Sequence, residues 1–314
     1  MAPSVSAVRA LNAAFSPSYL PVAVFVGGTS GIGQGMAEAF AQHTKGNAHI
    51  ILVGRNRTAA ESIISKFPRP TLPSAKHEFI ASDVSLMKNV QVTTKELLTH
   101  APKINYLVLS AGILNMSGRD ETEEGIDKKL AVHYYSRWKF MHELTPALVK
   151  AKEAGEDAKA LSVFAPGNGR KINVDDLGLK KTYSVSAAAL EAPTYNDLMV
   201  ESFASRYPSV SFVHANPGMV RTNGAYASTS FLIRLAGPIV KSRFSPLALF
   251  SRSQEDEGEY LLHGLFSTVS RPGSWRINEN GEDMGMAKYF GDDESRRRLW
   301  EHTVEVTGSM ERTS

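Results

Sequence analysis

Seven residues, Gly27-Gly28-Thr29-Ser30-Gly31-Ile32-Gly33, follow directly on the apolar run Val22-Ala23-Val24-Phe25-Val26. Glycines at 27, 31 and 33 let the chain turn sharply and bring its N–H groups against a pyrophosphate with no Cβ in the way. The stretch from Gln34 to Ala41 has helical character, so its first turn leaves N–H donors unpaired and pointed at an anion. Thr29, Ser30 and Ile32 complete the loop. A glycine triplet alone carries little information. Strand, loop and helix in this order predict a dinucleotide site.

A second group of residues bears on which dinucleotide. After the second apolar run stands Val53-Gly54-Arg55-Asn56-Arg57, with no carboxylate to accept a ribose 2′-hydroxyl. A guanidinium there suits a 2′-phosphate, which favours NADP(H) over NAD(H), with Asn56 beside it and Ser30 able to add a hydrogen bond. The alternative is an Arg55 that simply faces solvent. For proton chemistry the candidates are His133 and Tyr183. An imidazole titrates near neutrality and can donate or relay a proton, but a histidine on a buried helix is equally often a packed, hydrogen-bonded residue. Tyr183 either reaches the pocket from a loop or packs. Asn168 is a further pocket-lining candidate, and Tyr195 belongs to core or surface. With no cysteine there is no thiol nucleophile, thiolate metal site or disulfide, and no metal site is expected. The same absence points to a reducing, cytoplasmic compartment.

These residues need a scaffold. Strand-like runs recur at 22–26, 49–53, 76–81, 106–110, 160–164 and 210–214, with a late one at 274–278. Helix-like segments lie at 59–66, 85–99, 125–151 and 195–206. The alternation predicts an α/β fold, a single Rossmann-like doubly wound parallel sheet with helices on both faces. A length of 314 residues at 42% hydrophobic content suits one domain over 1–314. Residues 1–20 read as an extension lying on it, and 223–255 as a C-terminal lid region. The apolar stretch 231–250 carries Arg234, Lys241, Arg243 and two prolines, which excludes an ordinary membrane span. It is either an amphipathic lid over a greasy pocket or a surface helix pair. A formal charge of +3, with Arg296-Arg297-Arg298 as the longest basic run, gives no reason to expect nucleic-acid binding.

In this order the motifs resemble the short-chain dehydrogenase/reductase family over nearly the whole chain. The family's Thr-Gly-x-x-x-Gly-x-Gly loop corresponds to Val26 through Gly33, with Val26 for the threonine. The resemblance implies that Asp83 and Val84 contact adenine, that Ser110, Ala111 and Gly112 let the cofactor lie close to the sheet, and that Pro217 and Gly218, with Val220 and Thr222 beyond, cover the nicotinamide. It implies a homodimer contact through helices 125–151 and 195–206. The family's Ser-Tyr-Lys catalytic set is the point of departure. Ala165 stands in the serine's place, and His133 in that of the supporting asparagine. Counting back from Pro217-Gly218 puts the tyrosine at Ala187 to Ala189 and the lysine at Glu191 to Pro193. No tyrosine in or near that register has lysine four residues on. Tyr183-Ser184 running into alanines resembles a divergent fungal group, several members of which serve secondary metabolism, implying a hydrophobic polycyclic or polyketide-like substrate.

Three functions are compatible with these features. One is an atypical NADP(H)-dependent reductase of a hydrophobic carbonyl compound, with His133, Tyr183 or water giving the proton. Another is a non-redox isomerase, dehydratase or cyclase on the same scaffold, its nucleotide structural or vestigial. The third is a cofactor-binding protein without catalysis.

Overall fold

Short apolar runs bounded by turn residues pair edge to edge in the computed structural model, which describes residues 2–221 and 251–310. Six of them, β1 (Val22–Val26), β2 (His49–Gly54), β3 (Lys76–Ala81), β4 (Tyr106–Leu109), β5 (Lys159–Val163) and β6 (Ser211–Ala215), come before a two-residue β7 (Val220–Arg221) and β8 (Arg252–Ser253), and β9 (Gly273–Ile277) follows. The main sheet is parallel throughout, in the order β3-β2-β1-β4-β5-β6-β9, and β7 pairs with β8 alone. Chain direction of growth reverses between β1 and β4. That crevice is where open α/β sheets bind ligands.

The central strands β1, β2 and β4 are near-continuous apolar runs because both faces are covered, whereas the edge strand β3 is polar and only partly buried. Val24 and Val26 point into one core, with Leu107, Ala160 and Phe212, under helices α4 (Met87–His100), α6 (Ser136–Glu153), α7 (Val185–Arg206) and α9 (Asp293–Val306). Phe25 points the other way, with Ile50, Val108 and Val213, beneath α2 (Gly31–His43), α3 (Arg57–Ile64) and α8 (Gln254–His263). On that side Phe25, Phe40, Tyr106 and Phe266 meet edge to face or tilted, and Phe15 stacks on Phe266. Burying each such ring stabilises the fold by about 2 to 3 kcal/mol.

Two helices depart from their expected bounds. α7 starts at Val185, ahead of the expected Tyr195, and runs through Pro193. Ser184 caps it by accepting the Ala187 N–H at 2.9 Å, and the Thr194 hydroxyl donates to the Arg170 carbonyl, so neighbouring contacts hold the proline turn. The expected helix 125–151 is three pieces: α5 (Lys128–Leu130), a π-helical turn (Ala131–Tyr135) and α6. The N-terminal segment forms α1 (Val5–Asn12), where Asn12 donates to the Glu259 carbonyl and carboxylate on α8. Most of the expected lid, 223–250, and Thr222 lie outside the described residues.

The central residues of α6 and α7, which the resemblance assigned to a homodimer contact, are buried within this chain. α9 lies over them: Trp300 packs edge to face on Trp138, Thr303 shares a 2.7 Å hydrogen bond with Tyr134, and His302 bonds the Tyr135 hydroxyl. Pairing through those faces would require α9 to leave. No helix among the described residues is long and apolar enough to cross a membrane.

Candidate active site

The turn between β1 and α2 is held by backbone. Gly27 donates to the Val53 carbonyl and adopts φ +88°, and a Cβ on it would lie 2.5 Å from the Ala111 nitrogen. Gly31 is also left-handed, at φ +58°. A Cβ on Gly33 would strike Ser110 Oγ and the Gly27 carbonyl. The loop after β4 thus lies directly on the glycine turn, and no larger residue fits between. Ser30 occupies the N-cap position of α2 with no side-chain capping bond, so the first-turn N–H groups stay open. Thr29 packs over Gly54 at the end of β2. These contacts bring Gly27, Thr29, Ser30, Gly31, Ile32, Gly33, Ala111 and Gly112 to one crevice.

Arg55 projects into solvent next to it and has no ion pair or hydrogen bond among the described residues. Asn56 is committed elsewhere: its side chain accepts the Ala59 N–H at 3.0 Å and caps α3. At the end of β3, Asp83 accepts the Ser85 N–H, and Val84 is buried. Beyond β6, Gly218 has φ +61° and donates to Asn216 Oδ1, turning Pro217 and Gly218 back over the sheet edge.

On the other side of the β4 loop lies a row of polar side chains. His133, in the π-helical turn, accepts the Ile113 N–H through Nε2 at 3.1 Å and packs on Phe164, with ring centroids 4.9 Å apart. Desolvation and the Arg137 and Lys129 charges push its imidazole down to about 3. It is therefore neutral at physiological pH, and its acceptor nitrogen is already engaged. Four residues earlier, Lys129 is buried and sends Nζ to the Ser117 carbonyl at 2.9 Å and to the Tyr183 hydroxyl at 2.8 Å. Tyr183 sits two residues ahead of α7, half-buried, with Arg119 facing its ring at 5.9 Å.

Beneath this row Arg137 crosses the ends of β4 and β5. Its guanidinium donates to the Ala111 carbonyl at 2.7 Å, the Val163 carbonyl at 2.7 Å and Ser162 Oγ at 2.8 Å, and lies 5.2 Å from the Phe164 ring centroid. Burial pushes it down to about 9. Ser162 in turn donates to Asn196, whose amide reaches the His133 carbonyl. Ala165 is anchored by its N–H to His214 Nε2, and His214 pairs with the buried Asp197.

Residues 21–165 match the family described as short chain dehydrogenase. Oxidoreductase andH of Emericella variicolor is 33% identical over 288 residues, covering 91% of this chain and 81% of that protein. The chain belongs to the short-chain dehydrogenase family. A second relative, Oxidoreductase AN1596 of Emericella nidulans, is 36% identical over 220 residues, 70% of this chain and just 64% of its own length. Among solved structures, an alcohol dehydrogenase from Thermococcus sibiricus complexed with 5-hydroxy-NADP superposes with a TM-score of 0.57 at 18% identity, over 82% of this chain and 96% of that one. The shared feature there is the fold.

In this short-chain dehydrogenase the glycine turn and the β4 end come together as their sequence predicts. Lys129 and Arg137 were missed. Arg137 shares its helix with Lys139, His142 and Glu143, so the sequence does not single it out, and nothing in the spacing of residues 129 and 183 announces their contact.

Proposed function

We propose that the protein is an NADP(H)-dependent reductase that converts an apolar ketone or aldehyde to the alcohol. The observation that supports this best is the glycine turn packed against Ala111, with open helix N–H groups at the sheet's switch point, one loop away from a tyrosine hydroxyl. The fit is that of a pyrophosphate cradle, since a Cβ at Gly27 or Gly33 would fill it. The free guanidinium of Arg55 supports a 2′-phosphate and hence NADP(H).

A reduced nicotinamide, when bound, supplies the hydride to the carbonyl carbon. Gly31, Ile32 and Gly33 would hold the pyrophosphate through the open N–H groups of the first helical turn, with Gly27 shaping the turn while its own N–H bonds Val53; Ser30 and Arg55 would take the 2′-phosphate, and Ala111 and Gly112 leave room for the dinucleotide along the sheet. Pro217 and Gly218 wall the nicotinamide end, and Val84 with Asp83 borders the adenine. Tyr183 gives its phenolic proton to the carbonyl oxygen as the C–O double bond becomes single, and takes a proton back from water. His133, neutral and accepting from Ile113, shapes the loop that covers the substrate. Leu114, Met116 and Met219 expose apolar surface on the loops after β4 and β6, which supports an apolar substrate.

Incubation of the purified chain with NADPH and a panel of apolar ketones and aldehydes tests this. The expected product is two hydrogens heavier than its substrate, with equimolar NADPH consumed. No consumption across the panel overturns the reductase, and turnover to a product of unchanged mass without nucleotide would establish the non-redox enzyme instead.

A further inference from the structure

Lys129 is a buried cation with no carboxylate against it among the described residues. An ammonium has three N–H donors and no lone pair. Two of its contacts are carbonyls, Ser117 at 2.9 Å and Gly118 at 3.3 Å, and the remaining one is the Tyr183 hydroxyl at 2.8 Å. Against such a partner the phenol oxygen can only accept. Its own hydrogen must point away from Lys129, and no acceptor for it is present among the described residues. The ammonium also lies 5.5 Å from the centroid of the same ring.

From this geometry we infer that Lys129 is the positioning residue for Tyr183: it aims the phenolic hydrogen outward toward a substrate oxygen and stabilises the negative charge left on Oη when that proton departs. A fixed cation at hydrogen-bond distance from a developing oxyanion is the arrangement in which preorganised electrostatics contribute most, because nothing has to reorient during the reaction. The position four residues beyond Tyr183, on the first turn of α7, is Ala187, buried and unable to play this part. The cation arrives instead from α5, held by the carbonyls of the loop that follows β4. That loop also carries the Ile113 N–H on His133, so Lys129 and His133, one turn apart, pin the same loop at two points.

The inference rests on Tyr183 being the proton donor, and its test reads Tyr183 directly. In the full-length protein with 13Cζ-labelled tyrosine, the resonance lost in Tyr183→Phe identifies the residue, and its alkaline titration is followed in Lys129→Met and Lys129→Arg. Lys129→Met is expected to move the Tyr183 titration to higher pH by about one unit or more, and Lys129→Arg to return it most of the way. With any carbonyl compound the wild type reduces, Lys129→Met is expected to lose about a hundredfold in turnover. Should Lys129→Met fail to fold, Lys129→Gln, which keeps a donor for the loop carbonyls without the charge, serves for the same comparison. A Tyr183 titration that stays in place in the folded, uncharged variant overturns the inference and leaves Lys129 a loop clamp. A wild type that consumes no NADPH while the titration moves overturns the reductase reading and leaves the Lys129–Tyr183 coupling standing.

Discussion

The two halves of the sheet's C-terminal edge are built from different materials. On the half proposed to hold the nucleotide, the groups are backbone: Gly27, Gly31 and Gly33 within seven residues, held by contacts to Val53 and Ala111. On the half proposed to be catalytic they are side chains: Lys129, His133 and Arg137, four residues apart along the continuous stretch of α5, the π-helical turn and α6, and Tyr183 from the distant approach to α7. The first half depends on the absence of side chains and fails when one is added. The second depends on long-range contacts between charged and polar groups, and fails when one is removed.

This contrast can be broken most forcefully at Tyr183. Tyr183→Phe removes the proposed proton donor while keeping the ring, and turnover of any carbonyl compound that the wild type reduces is expected to fall by about 10²- to 10⁴-fold. Fluorescence titration should find NADPH affinity within about twofold of wild type, and an equal loss of affinity would place Tyr183 on the nucleotide half instead.

On the nucleotide half, Gly27→Ala puts a methyl group 2.5 Å from the Ala111 nitrogen at a φ of +88°. Urea unfolding is expected to show a loss of about 2 to 4 kcal/mol, with NADPH binding abolished in whatever folds. An unchanged midpoint would show that the turn yields more easily than its packing implies.

His133 sharpens the comparison through pH. Its folded-state value of about 3 lies below the ordinary histidine value of 6.5, so the unfolded chain binds the proton more readily. Stability attributable to this residue is complete above pH 6.5 and is lost as pH falls from 6.5 toward 3. Between pH 6.5 and 5 the expected loss is about 1 to 2 kcal/mol, and His133→Asn, which retains an acceptor for Ile113, should flatten that part of the stability profile. A profile identical to wild type would mean that the ring is not held neutral. At the other end, Arg55→Ala is expected to weaken NADPH binding about tenfold and leave NADH binding unchanged. Equal weakening of both would remove the 2′-phosphate assignment.

Much of the glycine turn's geometry was legible because its steric requirements are local. The strand-loop-helix order, the glycines and the small residues Ala111 and Gly112 each state a steric requirement in the sequence itself. Asn56 was the exception: an asparagine just ahead of a helix caps it, and that local bond with Ala59 engages its side-chain oxygen. The catalytic half was less legible. Pro193 concealed a helix beginning at Val185, because tertiary contacts to Arg170 hold the proline turn, so the first ten residues of α7 were not read as helix. The expected homodimer face proved to be interior surface beneath α9, a cover supplied by residues far along the chain.

By itself the sequence determined the parallel α/β sheet, the crevice at its switch point and the glycine turn, since unbroken apolar strands need two covered faces and a left-handed turn needs residues without Cβ. Only the tertiary structure decided what surrounds the tyrosine. Lys129 and Tyr183 meet across 54 residues of chain through a 2.8 Å bond, and such a contact follows from how the β4 loop folds over α5 and not from the spacing of either residue.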